Sequence, residues 1–321
     1  MSGLNASLGY FLACVVLAAS TRTLLKKWPR LAFLSELSSS FMLVACRLEV
    51  QTIVEVGEWA GGLGPDVTLT VLSAVLLVHG AVCGDHSGNP SVSVLRFLQL
   101  DAAPAATVLA VASHFLGAHL AKSAAEYYWS LELTDMHMIK NLMARECSTS
   151  LLVSPTHGFF TEGVCALLFH LAHLLLRRRA ALIRVLFGAA LLTFLSHTAK
   201  GYTSGYVNPS LAYGLTFHCP GFTFTEYALV YWLAPITGKQ HSHALKRRLY
   251  GKGAYQWIVH KSLGFRNACP PIKCESVCFP GMILALLLYM GHIPRIFAKN
   301  LLYFHKTRFR VPKGGEKEKK K

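Results

Sequence analysis

Two tripeptides of identical composition, Asn89-Pro90-Ser91 and Asn208-Pro209-Ser210, stand 119 residues apart in a 321-residue chain that holds only six asparagines and 13 prolines. Asn is a strong helix N-cap, and Pro suits the first helical position, where its missing N–H has no intrahelical partner. Each tripeptide therefore predicts a helix start. Each follows an apolar run and a Gly-containing polar turn, Cys83–Gly88 and Gly201–Val207, and each precedes a short apolar stretch, Val92–Leu100 and Leu211–Phe217. Helices this short cannot cross a bilayer, which asks for about 20 residues. Irregular backbone at membrane depth is tolerated only where it is buried in protein or lines a water-filled cavity. Two half-helices from opposite sides would meet N-terminus to N-terminus near the midplane, each end carrying roughly half a positive charge. The positive ends would repel cations and protons, while the Asn amides would donate hydrogen bonds to a passing neutral molecule.

The rest of the chain supplies a membrane setting. Hydrophobic residues make up 53% and charged residues 15%, with a mean hydropathy of +0.39. A soluble domain carries about 25% charged residues. A disordered chain, a collagen and a small disulfide scaffold are excluded. Apolar runs predict spans at Leu31–Val56, Val67–Val82, Ala103–Ala121 extending toward Trp129, Gly158–Leu176 and Ala180–Ser196. Leu4–Ser20 reads as a seventh span or an interfacial helix; with no basic residue before it, it is a poor secretory signal. The last span looks broken. Tyr227–Ile236 and Met282–Met290 are each half long enough, and 43 basic, polar and Cys-rich residues, Lys239–Gly281, separate them. Joining Gly238 to Met282 would restore 24 residues of spanning character. Residues 239–281 therefore read as an insertion, either retained non-coding sequence or an isoform segment; the alternative is an elaborated loop between two half-spans.

The expected fold class is all-α membrane: six transmembrane helices plus two half-helices in an inverted repeat, with an extra N-terminal hydrophobic helix. Three spans per half make the second copy inverted. The expected divisions are 1–30 (N-terminal helix and basic linker), 31–129 (first repeat), 130–238 (second repeat), 239–281 (insertion), 282–293 (remainder of the last span) and 294–321 (basic cytoplasmic tail).

The net charge of +16 is concentrated late in the chain: residues 1–238 hold 14 Lys and Arg against 13 Asp and Glu. Arg22, Lys26, Lys27 and Arg30, then Arg177–Arg179 with Arg184, and the basic C-terminus are expected on the cytoplasmic side. Loops 57–66 and 130–155 suit the other side. The basic segments favour anionic lipid; no nucleic-acid motif accompanies them. If the N-terminus is lumenal, Asn5-Ala6-Ser7 is a glycosylation sequon close to the membrane. Glu36, Arg47, Glu49 and Glu55 interrupt the Leu31–Val56 run, and intramembrane charges face a bundle interior or pair with one another. Arg47 and Glu49 are too close in sequence to pair, so their partners lie elsewhere.

The nine cysteines do not read as a disulfide framework. Cys269, Cys274 and Cys278 form a cluster that lacks a fourth zinc ligand, His260 being the nearest His. His170 and His173 share a helix face without a carboxylate or third His. There is no phosphate-binding loop, zinc-protease motif or nucleophile elbow. No metal or cofactor is expected.

At the paired boxes the chain resembles the aquaporin family, with both Asn-Pro-Ala boxes altered to Asn-Pro-Ser. The resemblance covers about residues 31–238 and 282–312. The divergent first box and Cys219, nine residues after Ser210, resemble the superaquaporin subfamily. Gly3-Leu4-Asn5, Leu133-Thr134-Asp135-Met136-His137 and Val230-Tyr231-Trp232-Leu233 resemble one branch of it. The family resemblance implies a passive channel, not an enzyme, assembled as a homotetramer in the lipid bilayer. Water-selective members place an Arg three residues after the second Asn and often a His about twelve before it. Here those positions are Leu211 and Ser196, with His197 alongside. That departure implies permeation of water and small neutral solutes such as glycerol or hydrogen peroxide. Cys219 is expected either as a structural residue or as a redox-sensitive thiol at the pore mouth. The tail Lys317-Glu318-Lys319-Lys320-Lys321 resembles a dilysine retrieval signal, which with the subfamily implies the endoplasmic reticulum or secretory-pathway vesicles. Two other readings stand: a weakly conducting scaffold of the same fold, and a multi-pass enzyme using His or the Cys cluster.

Overall fold

A computed structural model describes residues 3–250 apart from 29–30, 58–64, 85, 144–146, 148 and 177. The Cys269–Cys278 cluster, the 282–293 half-span and the Lys-rich tail lie outside the described residues.

The described residues are helical, with no strand. In chain order they form α1 (Gly3–Leu25), α2 (Ala32–Gly57), α3 (Pro65–Cys83), α4 (Pro90–Leu98), α5 (Pro104–Ser130), α6 (Asp135–Met143), α7 (Pro155–Leu176), α8 (Ala181–Thr198), α9 (Pro209–Thr216), α10 (Phe224–Tyr227) and α11 (Ala234–Tyr250). A π-helical stretch, Ala228–Leu233, joins α10 to α11. Among the described residues α1, α2, α5, α7 and α8 are long and apolar enough to cross a membrane, and α3 contributes the shorter apolar helix Leu69–Cys83.

The two halves repeat one plan. A long helix (α2, α7) is followed by a second span (α3, α8), a half-helix that starts at Asn-Pro (α4, α9) and a third span (α5, α10–α11). In each half the first and third spans cross closely, because glycine removes the side chain at the crossing. A Cβ at Gly117 of α5 would overlap the Leu37 carbonyl oxygen of α2, and one at Gly238 of α11 would overlap the Gly163 carbonyl oxygen of α7. Small residues at crossings are how helices associate where lipid supplies no hydrophobic drive. The surface matches a lipid setting: on α5, Val108, Leu109, Leu116 and Leu120 are exposed.

α1 is a packed member of the bundle. Ser7, Phe11, Cys14 and Ala18 recur at three- and four-residue steps and are buried, while Leu8, Leu12 and Val16 on the other face are exposed. The buried face runs antiparallel to α2. Ser7 Oγ donates to Glu49 Oε1 toward the C-terminal end of α2, Ala18 and Arg22 lie beside Ser35 and Ser38 near its start, and Arg22 donates to the Val82 carbonyl at the end of α3. The hydroxyl of the Asn5-Ala6-Ser7 sequon is thus already engaged.

Loop 130–155, a mixed stretch in sequence, contains α6. Its anchor is Glu49, which accepts from Trp129 Nε1 at 3.0 Å and faces His137 Nε2 at 2.9 Å, while His137 Nδ1 meets Thr134 Oγ1 at 2.9 Å. Glu49, Ser7 and His137 are each fully buried. One carboxylate on α2 therefore ties α1, α5 and α6 together. The expected separation of Arg47 from Glu49 holds, since each binds groups elsewhere.

Past Gly238 the last helix changes character. Where a span should continue, the helix runs on to Tyr250 through Lys-Gln-His-Ser-His-Ala-Leu-Lys-Arg-Arg-Leu-Tyr.

Candidate functional site

The two Asn-Pro-Ser boxes converge. Asn89 and Asn208 are both extended, at φ −130° and −142°, and each Oδ1 accepts the backbone N–H two residues on, Ser91 and Ser210, at 3.0 Å. Pro90 and Pro209 open their helices, as the missing N–H at that position allows. Each amide then reaches across to the other half. Asn89 Nδ2 donates to the Val207 carbonyl at 3.1 Å, and Asn208 Nδ2 donates to the Gly88 carbonyl at 3.0 Å. The cap fixes Oδ1 and the crossed bond fixes Nδ2, so each amide's orientation follows from its partners. An amide carries two N–H groups. The crossed bond uses one, and the second remains for another acceptor.

The residues before each Asn must turn sharply to present these carbonyls. Gly88 sits at φ +59° and Val207 at φ +55°. Glycine adopts that region freely, whereas a β-branched residue there is strained. Buried carboxylates hold both turns. Glu36 of α2 accepts from Gly88 N at 3.4 Å and bonds His86 Nδ1 at 3.1 Å. Glu162 of α7 accepts from Tyr206 N at 3.0 Å and Val207 N at 2.8 Å. Glu36 and Glu162 occupy corresponding helices of the two halves. They bind backbone N–H groups that would otherwise be orphaned at membrane depth, where an unmet polar group is costly.

The boxes differ at their serines. Ser210 Oγ donates to the Gly88 carbonyl at 2.9 Å and lies 3.2 Å from Ser40 Oγ. Ser91 is fully buried, and its Oγ has no hydrogen-bond partner among the described residues.

Leu211, in the first turn of α9, is buried in the main apolar cluster with Met42 and Val44. Ser196 accepts from Arg47 Nη2 at 3.1 Å and donates to the Ser204 carbonyl at 3.0 Å. His197 is exposed on the other side of α8, so it does not stand in for a His at position 196. Cys219 is paired with Cys147 in a disulfide, Cα–Cα 5.2 Å. The bridge engages Cys219 in a covalent bond, and a single bridge among the described cysteines does not amount to a disulfide framework. Cys14, Cys46, Cys83 and Cys165 are free and buried. The His170 and His173 rings stack at 6.1 Å. Among the described residues no group of three His, Cys, Asp or Glu side chains is placed to hold a metal.

Sequence reasoning missed Glu162, and it treated Glu36 only as an interruption of a span. A signal was present: each Glu lies in the first span of its half, about 50 residues before its Asn. It also missed Lys239. This side chain is buried, and its Nζ lies 3.4 Å from the Val207 carbonyl oxygen that Asn89 also binds.

No family model matches the chain. Individual relatives do. Aquaporin-12 of Mus musculus is 36% identical over 318 residues, covering 98% of this chain and 95% of the relative. Putative aquaporin-12B of Homo sapiens is 34% identical over 314 residues, covering 98% and 89%. Aquaporin-11 of Homo sapiens is 30% identical over 236 residues, covering 72% and 85%. Among solved structures, the aquaglyceroporin from Plasmodium falciparum superposes with a TM-score of 0.52 at 18% identity, covering 68% of this chain and 94% of that one, which shows a shared fold. With near full-length similarity to aquaporin-12 sequences added to an inverted pair of Asn-capped half-helices, the chain belongs to the aquaporin family, in its superaquaporin branch, and is a multi-pass membrane channel protein.

Proposed function

We propose that the chain forms a passive pore for water and small neutral solutes, glycerol and hydrogen peroxide among them, in an intracellular membrane. The observation that carries this reading is the crossed pair of Asn amides. Each is oriented by its own helix cap and by the opposite carbonyl, and each retains an N–H for a permeant. The N-termini of α4 and α9 add their positive ends at the same place, a barrier to cations and protons that is established for aquaporin-type pores. Leu211 puts an apolar side chain at the position after the second box, which favours solutes wider and less polar than water. A homotetramer in the endoplasmic reticulum or secretory vesicles, suggested by family resemblance and the Lys-rich tail, completes the proposal. The Cys147–Cys219 disulfide supports placing loop 130–155 in an oxidising lumen.

Lys239 favours a second reading for the chain as it stands. It is the first residue of the segment 239–281 that we read as an insertion, and its ammonium sits against the Val207 carbonyl at the convergence of the boxes. A weakly conducting form follows from a cation there and from a last span that turns polar after Gly238. Stopped-flow shrinkage of proteoliposomes under water and glycerol gradients separates the readings. The pore reading expects fast flux once residues 239–281 are deleted, and slower flux in the full chain. If neither form exceeds empty liposomes for water, glycerol or peroxide, the pore reading fails and the scaffold reading replaces it.

A further inference from the structure

Arg47 lies well inside the membrane span Ala32–Val56 of α2. Among the described residues it has no carboxylate partner, and its hydrogen bond goes to Ser196 Oγ of α8 at 3.1 Å. A guanidinium has five N–H donors, so one bond leaves most of them open. α2 and α8 belong to opposite repeats and do not pack along a shared face. To reach Ser196, the Arg47 side chain must cross the interval between the repeats. Its neighbours Cys46 and Leu48 are buried, yet Arg47 keeps partial exposure. A cation at membrane depth faces the bundle interior or a water-filled cavity. The direction of its bond rules out lipid and selects the interior.

The same bond fixes its level in the passage. Ser196 is held to the Ser204 carbonyl, in the turn that descends to the second box. The guanidinium is thus set at that descending segment, on the α9 side of the crossed Asn amides. Leu211 leaves the neighbouring position of the second box without a charge.

We propose that Arg47 is a selectivity-determining residue of this pore: from α2 it offers N–H donors to neutral polar permeants and bars cations on the second-box side of the passage. This rests on the passive-pore reading and assigns the charged group that the box itself lacks.

The test uses the full chain in proteoliposomes, with the native form compared with Arg47→Gln, which keeps a hydrogen-bonding group, and Arg47→Leu, which keeps none. Both variants are expected to admit a proton leak that the native form excludes. Arg47→Leu alone is expected to raise the glycerol-to-water flux ratio by roughly fivefold, the size of one lost hydrogen-bonded contact expressed as a rate. In parallel, Arg47→Cys is treated with a membrane-impermeant thiol reagent beside Leu109→Cys, on the exposed apolar face of α5. The Arg47→Cys thiol should react about tenfold faster, as a thiol in water ionises and one in hydrocarbon does not. Equal labelling rates overturn the proposal whatever the flux. So does a conducting native form whose Arg47→Leu variant keeps both its solute ratio and its proton tightness. If neither these forms nor the chain lacking residues 239–281 conducts any solute, the pore reading and this one fail together.

Discussion

At the scale of single residues, the site depends on satisfying polar groups that have no water to turn to. The two serines that follow Asn-Pro look equivalent in sequence but not in bonding. Ser210 Oγ has acceptors in Gly88 and Asn208, while Ser91 Oγ has none among the described residues. Ser210→Ala is therefore expected to lower stability by about 1 kcal/mol, the net worth of a typical hydrogen bond, and Ser91→Ala to be neutral or stabilising. Thermal unfolding in detergent compares the two, and equal losses would remove the asymmetry. Gly88 is a second test, because its φ is positive and a Cβ there would sit 2.8 Å from the Ser40 backbone N. Gly88→Ala should cost at least about 1–2 kcal/mol from the left-handed conformation alone and more from the overlap; an unchanged melting temperature would show that the first box does not need this turn. Much of this level was legible beforehand: Asn and Pro at a helix start announce their own geometry. Val207 was not, since nothing in a β-branched residue signals a positive φ. Nor was Arg47–Ser196, a contact between residues 149 apart.

At the scale of elements, apolar runs fixed the long helices to within a few residues, because a span must be apolar along most of its length. The short α6 escaped that logic. It is a nine-residue amphipathic helix in a mixed loop, and what holds it is a buried bond from His137 to a carboxylate 88 residues earlier. Glu49 is the shared anchor of α1, α5 and α6. Removing one partner of a buried charged network leaves the others unmet, so Glu49→Ala should destabilise by about 3–5 kcal/mol. It should also free α1, so that trypsin cuts the already exposed Lys26–Lys27 linker sooner than in the native chain. Native-like protease resistance would mean that α1 docks by its apolar face alone. The polar character of α11 after Gly238 was also legible in composition, but the inward path of Lys239 was not, because a lone Lys at the end of an apolar run ordinarily reads as an interfacial residue.

At the scale of the whole molecule, the inverted repeat explains why the two halves share parts: paired carboxylates, paired glycine crossings and paired Asn caps. The arrangement needs loop 130–155 on one side of the membrane, and the Cys147–Cys219 bond joins that loop to the end of α9. Cys147→Ser should lower stability by about 2–4 kcal/mol, as loss of a native disulfide does. Thiol alkylation of the protein from native membranes, before and after reduction, checks that the pair is oxidised; a pair that alkylates without reductant would contradict the lumenal placement of this loop. On the pore proposal, the crossed amides of Asn89 and Asn208 make the passage. The most direct measurement of this is solute flux through proteoliposomes containing the chain that lacks residues 239–281, compared with the same chain carrying Asn89→Ala and Asn208→Ala at equal incorporation, with an intact Cys147–Cys219 disulfide confirming the fold. Fast flux is expected in the first and flux near that of empty liposomes in the second; equal flux in both would overturn the proposed role of the two amides.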